Sequence, residues 1–283
     1  MDNLYSLLPV TIYPLLNQEV KEIRMRVGQP LLFYDGKKKY FAGEKTPYIV
    51  TTADIDYVLG KASGYSMYSV ADNLTKGFIS FAGGIRIGVA GEGVSDKDVV
   101  YNLKYPTSLV IRIPTEIKGK ADEIIKKVIK NGEFRNLLVI APPSGGKTTL
   151  LREITRVASN ALFNVVVIDE RREIAGAVNG VAGLDTGTCA DVVTGIRKMS
   201  AYESVIRSMN PDVIVTDEIY GADEVNVILD AMRAGVKVAV SLHANEISDL
   251  KNTVYEKLQK AMDVTVVLSK KNFVGEVKEI VEC

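Results

Sequence analysis

This chain of 283 residues has no tryptophan, one histidine, two cysteines and no excess charge of either sign. Its two cysteines, Cys189 and Cys283, are too few and too unpatterned for a disulfide framework, and neither falls in a metal-ligand spacing. A reducing compartment fits that usage. Lysine plus arginine number 35 and so do aspartate plus glutamate, so no global field argues for nucleic acid or an anionic membrane as principal partner. Long apolar runs are missing too. Charges or prolines interrupt each of them, and the opening MDNLYSLLPVTIYPLL lacks the basic segment and long apolar core of a secretion signal. The expectation is a soluble, cytoplasmic protein. No internal repeat or low-complexity tract is evident, and a hydrophobic content of 47% supports a substantial core in a chain long enough for two domains.

Against that plain background stands NLLVIAPPSGGKTT, from Asn136 to Thr149: an apolar strand, a turn of prolines and glycines, then a lysine and two threonines opening a helix. A nucleoside triphosphate carries several negative charges, which successive backbone N–H groups, a helix N-terminus and an ammonium hold together. Pro143, Ser144, Gly145, Gly146, Lys147, Thr148 and Thr149 are therefore the candidate ATP contacts. Gly145 and Gly146 allow close backbone approach, Lys147 reaches for the β- and γ-phosphates, and the Thr148 hydroxyl suits Mg²⁺, a hard ion that prefers oxygen. The pattern departs from G-x-x-x-x-G-K-[ST] at one place, where Ala141 replaces the first glycine. Any positive φ required there would be strained.

From about Asn136 onward, short apolar strands alternate with amphipathic helices, the pattern of a parallel α/β sheet. Strands are expected at Leu137–Ala141, Asn164–Asp169, Asp212–Thr216, Lys237–Leu242 and Val264–Leu268, and helices near Lys147–Ser159, Ala201–Met209, Ala222–Ala234 and Ile247–Lys260. Gly235 stops the third of these helices. The first 120 or so residues differ. Glu22–Val27 and Leu31–Tyr34 read as strands, Asp35-Gly36 as a tight turn, and Thr51-x-x-Asp54 as a capping box for a short helix through Ala62. Gly77–Val94 reads as two strands joined through Gly83-Gly84, Ser108–Ile113 as another, and Lys118-Gly119-Lys120 as a linker before a helix at Ala121–Lys130. The expected organisation is a smaller α+β domain over 1–120 and a RecA-like P-loop ATPase domain over 121–283.

Adjacent carboxylates close VIVTDEI, where a strand points its last residues at bound phosphate and metal. Asp217 is the candidate Mg²⁺ ligand and Glu218 the candidate general base for the attacking water; a solvated strand end or helix N-cap is the plain alternative. VVVIDERREIAG ends likewise in Asp169-Glu170, with Glu173 three residues on. Two readings stay open there: Glu170 orients water or metal near the γ-phosphate, or the segment is a charged strand end with Arg171 and Arg172 as solvated partners. The single histidine, His243, follows the strand in SLHAN. In sheets of this kind an extra strand lies between the phosphate-loop strand and the acidic strand, so His243 is placed to sense γ-phosphate, unless it is a surface or capping residue.

APPSGGKTT, VIDERREIAG, VIVTDEI and SLHAN together resemble the phosphate loop, first acidic box, second acidic box and histidine box of secretion ATPases. A narrower resemblance spans nearly the whole chain. IRSMNPDVIVTDEI, DERREIAG, GFISFAGGIRIGVAG and EIRMRVGQPL are similar to the stage III sporulation protein AA family. That resemblance implies a cytoplasmic homohexameric ATPase, peripherally associated with an inner-membrane component of a sporulation or secretion channel, with no nucleic acid expected. It also implies nucleotide bound between subunits and an arginine donated across the interface. Arg86 in GGIRIG and Arg112 in VIRIP are nominated for that role, and Arg207 is a third candidate; for each, an exposed strand or helix arginine is the alternative. Ile85 and Cys189 depart from the family pattern, at positions where histidine and arginine are expected. A nucleic-acid-binding RecA-like ATPase and a nucleotide-gated scaffold with little hydrolysis are the competing functions.

Overall fold

The computed structural model describes residues 2–16, 20–43, 45–66, 78–96, 99–114, 121–178 and 180–282. Two compact units emerge, Met1–Thr115 and Glu116–Cys283. The expected linker Lys118-Gly119-Lys120, like Gly77, lies outside the described residues.

The first unit opens with α1 (Asp2–Leu7) and a 3-10 turn at Val10–Leu15. There follow β1 (Glu22–Arg26), β2 (Leu32–Tyr34), β3 (Lys39–Phe41), α2 (Thr52–Ser63), β4 (Phe78–Phe81), β5 (Ile85–Asp96) and β6 (Val99–Arg112). The strands form an antiparallel sheet in the order β3-β2-β1-β6-β5-β4. Alternation does the sorting: Ile23 and Met25 of β1 are buried between outward-facing Glu22, Arg24 and Arg26. Leu4, Leu7, Leu8 and Ile12 join Ile55 and Val58 of α2 over that buried face, so the apolar face of the N-terminal stretch closes this core. The capping box at α2 forms as spaced, with the Thr51 N–H donating to Asp54 Oδ2 at 2.8 Å and the Asp54 N–H to Thr51 Oγ1 at 3.3 Å. Gly83 and Gly84 take φ of +73° and +71° at the β4–β5 turn. Strand β6 starts well before the expected Ser108 and pairs along most of β5.

The second unit contains α3 (Asp122–Val128), a small hairpin of β7 (Ile129–Lys130) and β8 (Glu133–Phe134), β9 (Leu137–Ala141), α4 (Lys147–Asn160), β10 (Val165–Asp169) and β11 (Ala190–Thr194). It continues with α5 (Lys198–Met209), β12 (Val213–Thr216), α6 (Gly221–Arg233), β13 (Lys237–His243), α7 (Tyr255–Ala261), β14 (Val264–Ser269) and β15 (Glu276–Glu282). The sheet runs β11-β10-β12-β13-β9-β14-β15, parallel except for the antiparallel β14–β15 pair. Every residue of β9 and β10 is buried, as befits parallel strands covered on both faces. Leu137 and Val139 pack with Leu151 and Ile154 of α4; Leu138 and Ile140 belong to the other core, with Tyr202 of α5, Ile228 of α6 and Leu258 of α7.

Two expected helices are corrected. Ala121–Lys130 stops at Val128, because Asn131 and Gly132, at φ of +54° and +80°, turn the chain into the β7–β8 hairpin. Ile247–Lys260 is split into a 3-10 turn at Ile247–Leu250 and α7. Asp249 Oδ2 takes the N–H groups of Asn245 and Glu246, Thr253 Oγ1 donates to the Leu250 carbonyl at 2.6 Å, and Asn252 is left-handed at φ +58°. These local bonds compete with a continuous helix.

Candidate active site

The loop between β9 and α4 is shaped by what its side chains exclude. Ser144 and Gly146 take the left-handed conformation, at φ of +59° and +95°. A Cβ on Gly145 would lie 2.8 Å from both the Ala141 methyl and the Pro142 carbonyl oxygen, so only glycine fits. Ala141 itself is an ordinary buried strand residue in parallel register with His243, outside the left-handed region. No positive φ is required of it, so its methyl group meets no such strain.

Lys147 is only 4% exposed at the start of α4. Its Nζ lies 2.8 Å from His243 Nδ1 and 3.5 Å from the Ala141 carbonyl oxygen. Burial lowers the lysine's pKa, and the charges of Asp217, Glu218 and Glu173 partly offset that. An ammonium in this position gains from a polyanion set against it. Next along the helix, Thr148 Oγ1 donates to Asp217 Oδ2 at 2.5 Å.

Strand β12 delivers Asp217 and Glu218 beyond its last residue, and β13, lying between β9 and β12, supplies the groups that join acid to loop. Ser241 donates to Asp217 Oδ1. His243 Nε2 lies 3.0 Å from Glu218 Oε1, while Arg171 donates to Glu218 Oε2. Glu218 sits in the left-handed region at φ +47°, a conformation of some strain for a residue with a side chain. Lys198, the first residue of α5, spans that turn: its Nζ donates to the carbonyl oxygens of Asp217 and Glu218, the latter at 2.6 Å, with Glu224 3.6 Å away.

The first acidic box divides its labour. Asp169 is 2% exposed and accepts the N–H groups of Glu173 and Ala175 at 2.7 and 2.8 Å, which folds the following segment back on the strand end. Burial pushes its pKa up despite those bonds. Arg152 of α4 holds the same segment through the carbonyls of Ile174 and Glu173, each at 2.6 Å. Glu170 is exposed and lines a cleft of about 220 Å³ together with Glu173, Lys198, Asp217 and Glu218.

Lys147, Thr148, Asp217, Glu218 and His243 thus meet at the carboxyl edge of one sheet, with Glu170 on the neighbouring cleft. Arg207 is not brought there within the chain. It is exposed in the last turn of α5, nine residues after Lys198 and so about 14 Å farther along the helix axis. Arg86 and Arg112 are cross-strand neighbours in the first unit; Arg86 lies 5.1 Å from the Phe78 ring centre, and Arg112 Nε lies 3.5 Å from Glu22 Oε2. Cys189 precedes β11 at the amino edge of the second sheet, its N–H donating to Ser159 Oγ at 2.5 Å. Lys198 and Ser241 were not singled out by sequence, and Arg171 was read only as a solvated partner. Ser241 lies two residues before His243 in SLHAN; Lys198 bonds backbone carbonyls, which leave no signal in residue types.

The sequence model of the family described as sporulation stage III, protein AA, matches residues 4–283. The chain belongs to that family. It is 34% identical over 271 residues to stage III sporulation protein AA of Bacillus subtilis (strain 168), covering 93% of this chain and 86% of that protein. It is also 28% identical over 162 residues to the uncharacterized protein ycf45 of Cyanidium caldarium, across 53% of this chain and 45% of that one. Among solved structures, the pilus retraction motor PilT with bound ADP superposes with a TM-score of 0.62 at 16% identity, covering 91% of this chain and 76% of that one. The Yersinia pseudotuberculosis ATPase DotB gives 0.61 at 13% identity, covering 94% and 74%. This member of the sporulation family therefore shares the α/β fold of PilT and DotB. No helix among the described residues is long and apolar enough to cross a membrane.

Proposed function

We propose that this protein is an ATP-binding and ATP-hydrolysing oligomeric motor, a homohexamer that serves a secretion-like sporulation channel from the cytoplasmic side through an inner-membrane component. One observation carries the reading: Lys147 and Thr148 of the loop are bonded, through His243 and directly, to the acids Glu218 and Asp217. Phosphate-binding, metal-binding and base groups are thereby one connected set.

Backbone N–H groups from Ser144 to Thr148 and the Lys147 ammonium bind the β- and γ-phosphates. The Thr148 hydroxyl and the Asp217 carboxylate are hard oxygen donors at the loop and would hold Mg²⁺. When bound, that ion neutralises charge on the phosphates. Glu218 takes the proton of a water that attacks the γ-phosphorus as the bond to the β-phosphate oxygen breaks, giving ADP and inorganic phosphate. His243 holds the Glu218 carboxylate at 3.0 Å, and Glu170 faces the same cleft. Arg86, Arg112 or Arg207 of a neighbouring copy stabilises the charge that develops.

Phosphate release by wild type, Lys147→Ala and Glu218→Gln, each as hexamer, tests this reading. Both variants are expected to lose at least about a hundredfold in turnover, on the scale of losing a positioned acid–base group; equal trace activity in all three ends it. A nucleotide-gated scaffold is the second reading, favoured by a Glu218 carboxylate engaged on both oxygens by His243 and Arg171. Tight binding with assembly unaffected by Glu218→Gln supports that one.

A further inference from the structure

The carboxylate proposed as the base is set in place without help from any arginine. The Glu218 N–H donates to Asp217 Oδ1 at 2.9 Å and to Ser241 Oγ at 3.1 Å, and Lys198 holds the Glu218 carbonyl oxygen. His243 Nε2 then fixes Oε1 at 3.0 Å. Backbone and one carboxylate oxygen are thus placed, and Oε2 is the oxygen left to meet a water. Arg171 covers it. This residue lies two positions beyond β10, its side chain is 69% exposed, and it donates to Oε2. A guanidinium has five N–H donors and no acceptor, so it cannot pass on a water's proton and can only compete with the water for that oxygen. Room to withdraw is present. The cleft of about 220 Å³ that Arg171 lines also carries Glu170 and Glu173, two further carboxylates suited to receive a guanidinium. Arg172, the next residue, is not among the described residues that line it.

We propose that Arg171 is a brake on Glu218: paired with Oε2 it holds the base back, and hydrolysis proceeds when it swings off that oxygen into the cleft, onto Glu170 or Glu173. The inference rests on the reading of Glu218 as the base and adds its regulation. Because Lys198, Ser241 and His243 already place Glu218, loss of Arg171 leaves the carboxylate where it is and uncovers its second oxygen. Because the arginine is largely exposed, the pair is open to solvent and weakens as salt screens it. Both consequences set a brake apart from a supporting contact, whose loss slows the reaction.

Phosphate release by the full chain under saturating ATP and Mg²⁺ tests this for wild type, Arg171→Gln, Arg172→Gln and Glu218→Gln, in about 0.05 M and about 0.5 M salt. Arg171 is largely exposed, so glutamine in its place is compatible with the fold, and thermal unfolding verifies that. Arg171→Gln is expected to raise kcat about two- to fivefold at low salt, the scale on which an exposed ion pair holds a group. Arg172→Gln removes the same charge one residue away and is expected to stay within about 1.5-fold of wild type. At high salt the pair opens in wild type, and the ratio of Arg171→Gln to wild-type kcat is expected to fall toward one. A kcat below wild type overturns the brake and makes Arg171 a support of the base instead. So does an unchanged kcat, which leaves it a solvated arginine. Equal gains in Arg171→Gln and Arg172→Gln, or a ratio insensitive to salt, overturn the ion pair as the cause. Turnover of Glu218→Gln equal to that of wild type overturns the reading of the base itself, and the brake with it.

Discussion

Lys198→Met separates the placement of the proposed general base, Glu218, from the proposed binding of phosphate. The wild-type side chain is 10% exposed, and its Nζ donates to the carbonyl oxygens of Asp217 and Glu218 across the turn that holds Glu218 at φ +47°. Methionine keeps the length and apolar stem and removes the ammonium. Two hydrogen bonds from a charged donor are worth about 3–6 kcal/mol gross, at roughly 1.5–3 kcal/mol each. Relief from burying the ammonium returns several kcal/mol. The net loss of stability is expected at about 2 kcal/mol, within the range of a broken buried network. The effect on turnover follows from the turn. A left-handed non-glycine residue stores about 1–3 kcal/mol of strain and persists only while its surroundings over-determine it. Released from Lys198, Glu218 relaxes and its carboxylate leaves the place that His243 marks. A ten- to hundredfold fall in kcat is expected, about 1.4–2.7 kcal/mol in barrier. Nucleotide Kd is expected to stay within about twofold, because no bond of Lys198 reaches the loop. Urea unfolding, phosphate release under saturating ATP and calorimetric titration measure the three quantities. A folded variant with wild-type kcat refutes the clamp, and a loss of affinity equal to the loss of kcat shows general damage instead.

Two further expectations concern the loop and the sheet edge. Ala141→Gly, which restores the common loop pattern, removes a fully buried methyl group and loosens a strand residue, so urea unfolding should show about 1.5 kcal/mol less stability. Nucleotide affinity should not improve, since residue 141 is outside the left-handed region; a gain beyond about threefold by titration contradicts that geometry. Hydrogen bonds from Lys127 and then Arg135 hold the Glu282 carboxyl down at about 2, from an ordinary 4.5. A lowered carboxyl pKa contributes stability above the unfolded value and loses it as pH falls toward the folded one, so wild type should weaken between about pH 4.5 and 2. Glu282→Gln should lower stability near neutrality and flatten that acid limb in urea unfolding; an unchanged limb contradicts the assignment.

What the sequence disclosed depended on burial. Strands β9, β10, β12, β13 and β14 are wholly or almost wholly buried, which makes them legible as short apolar runs. Strands β3, β11 and β15 lie at sheet edges, where exposed and half-buried residues mix and no run forms. Asn131-Gly132 was a readable hairpin signal that the helical pattern on its N-terminal side masked. The break in 247–260 came from Asp249, Asn252 and Thr253, polar residues that also sit comfortably on an exposed helix face. In the candidate site, the meeting of Lys147, Thr148, Asp217, Glu218 and His243 was legible because a loop and strand ends announce them. Lys198 was not, because it contributes through carbonyl oxygens of other residues.

The placement of β13 accounts for much of this arrangement, including the alanine in the loop. Because β13 pairs with β9 on one side and β12 on the other, its outgoing residues reach both the phosphate loop and the acids. Ser241 bonds Asp217, which bonds Thr148; His243 bonds Glu218 and meets Lys147. Under the proposed chemistry, a γ-phosphate that draws Lys147 toward itself competes with His243 for the ammonium, and His243 is the group that holds Glu218. Binding at the loop and readiness of the base are then coupled through a single imidazole. The same pairing sets Ala141 against His243 in parallel register, which keeps residue 141 in extended strand geometry. The turn begins only afterwards, with left-handed conformations at Ser144 and Gly146. Glycine is needed at residue 145, where a Cβ would strike the Ala141 methyl and the Pro142 carbonyl. At residue 141 the register demands an ordinary strand residue, and alanine satisfies it.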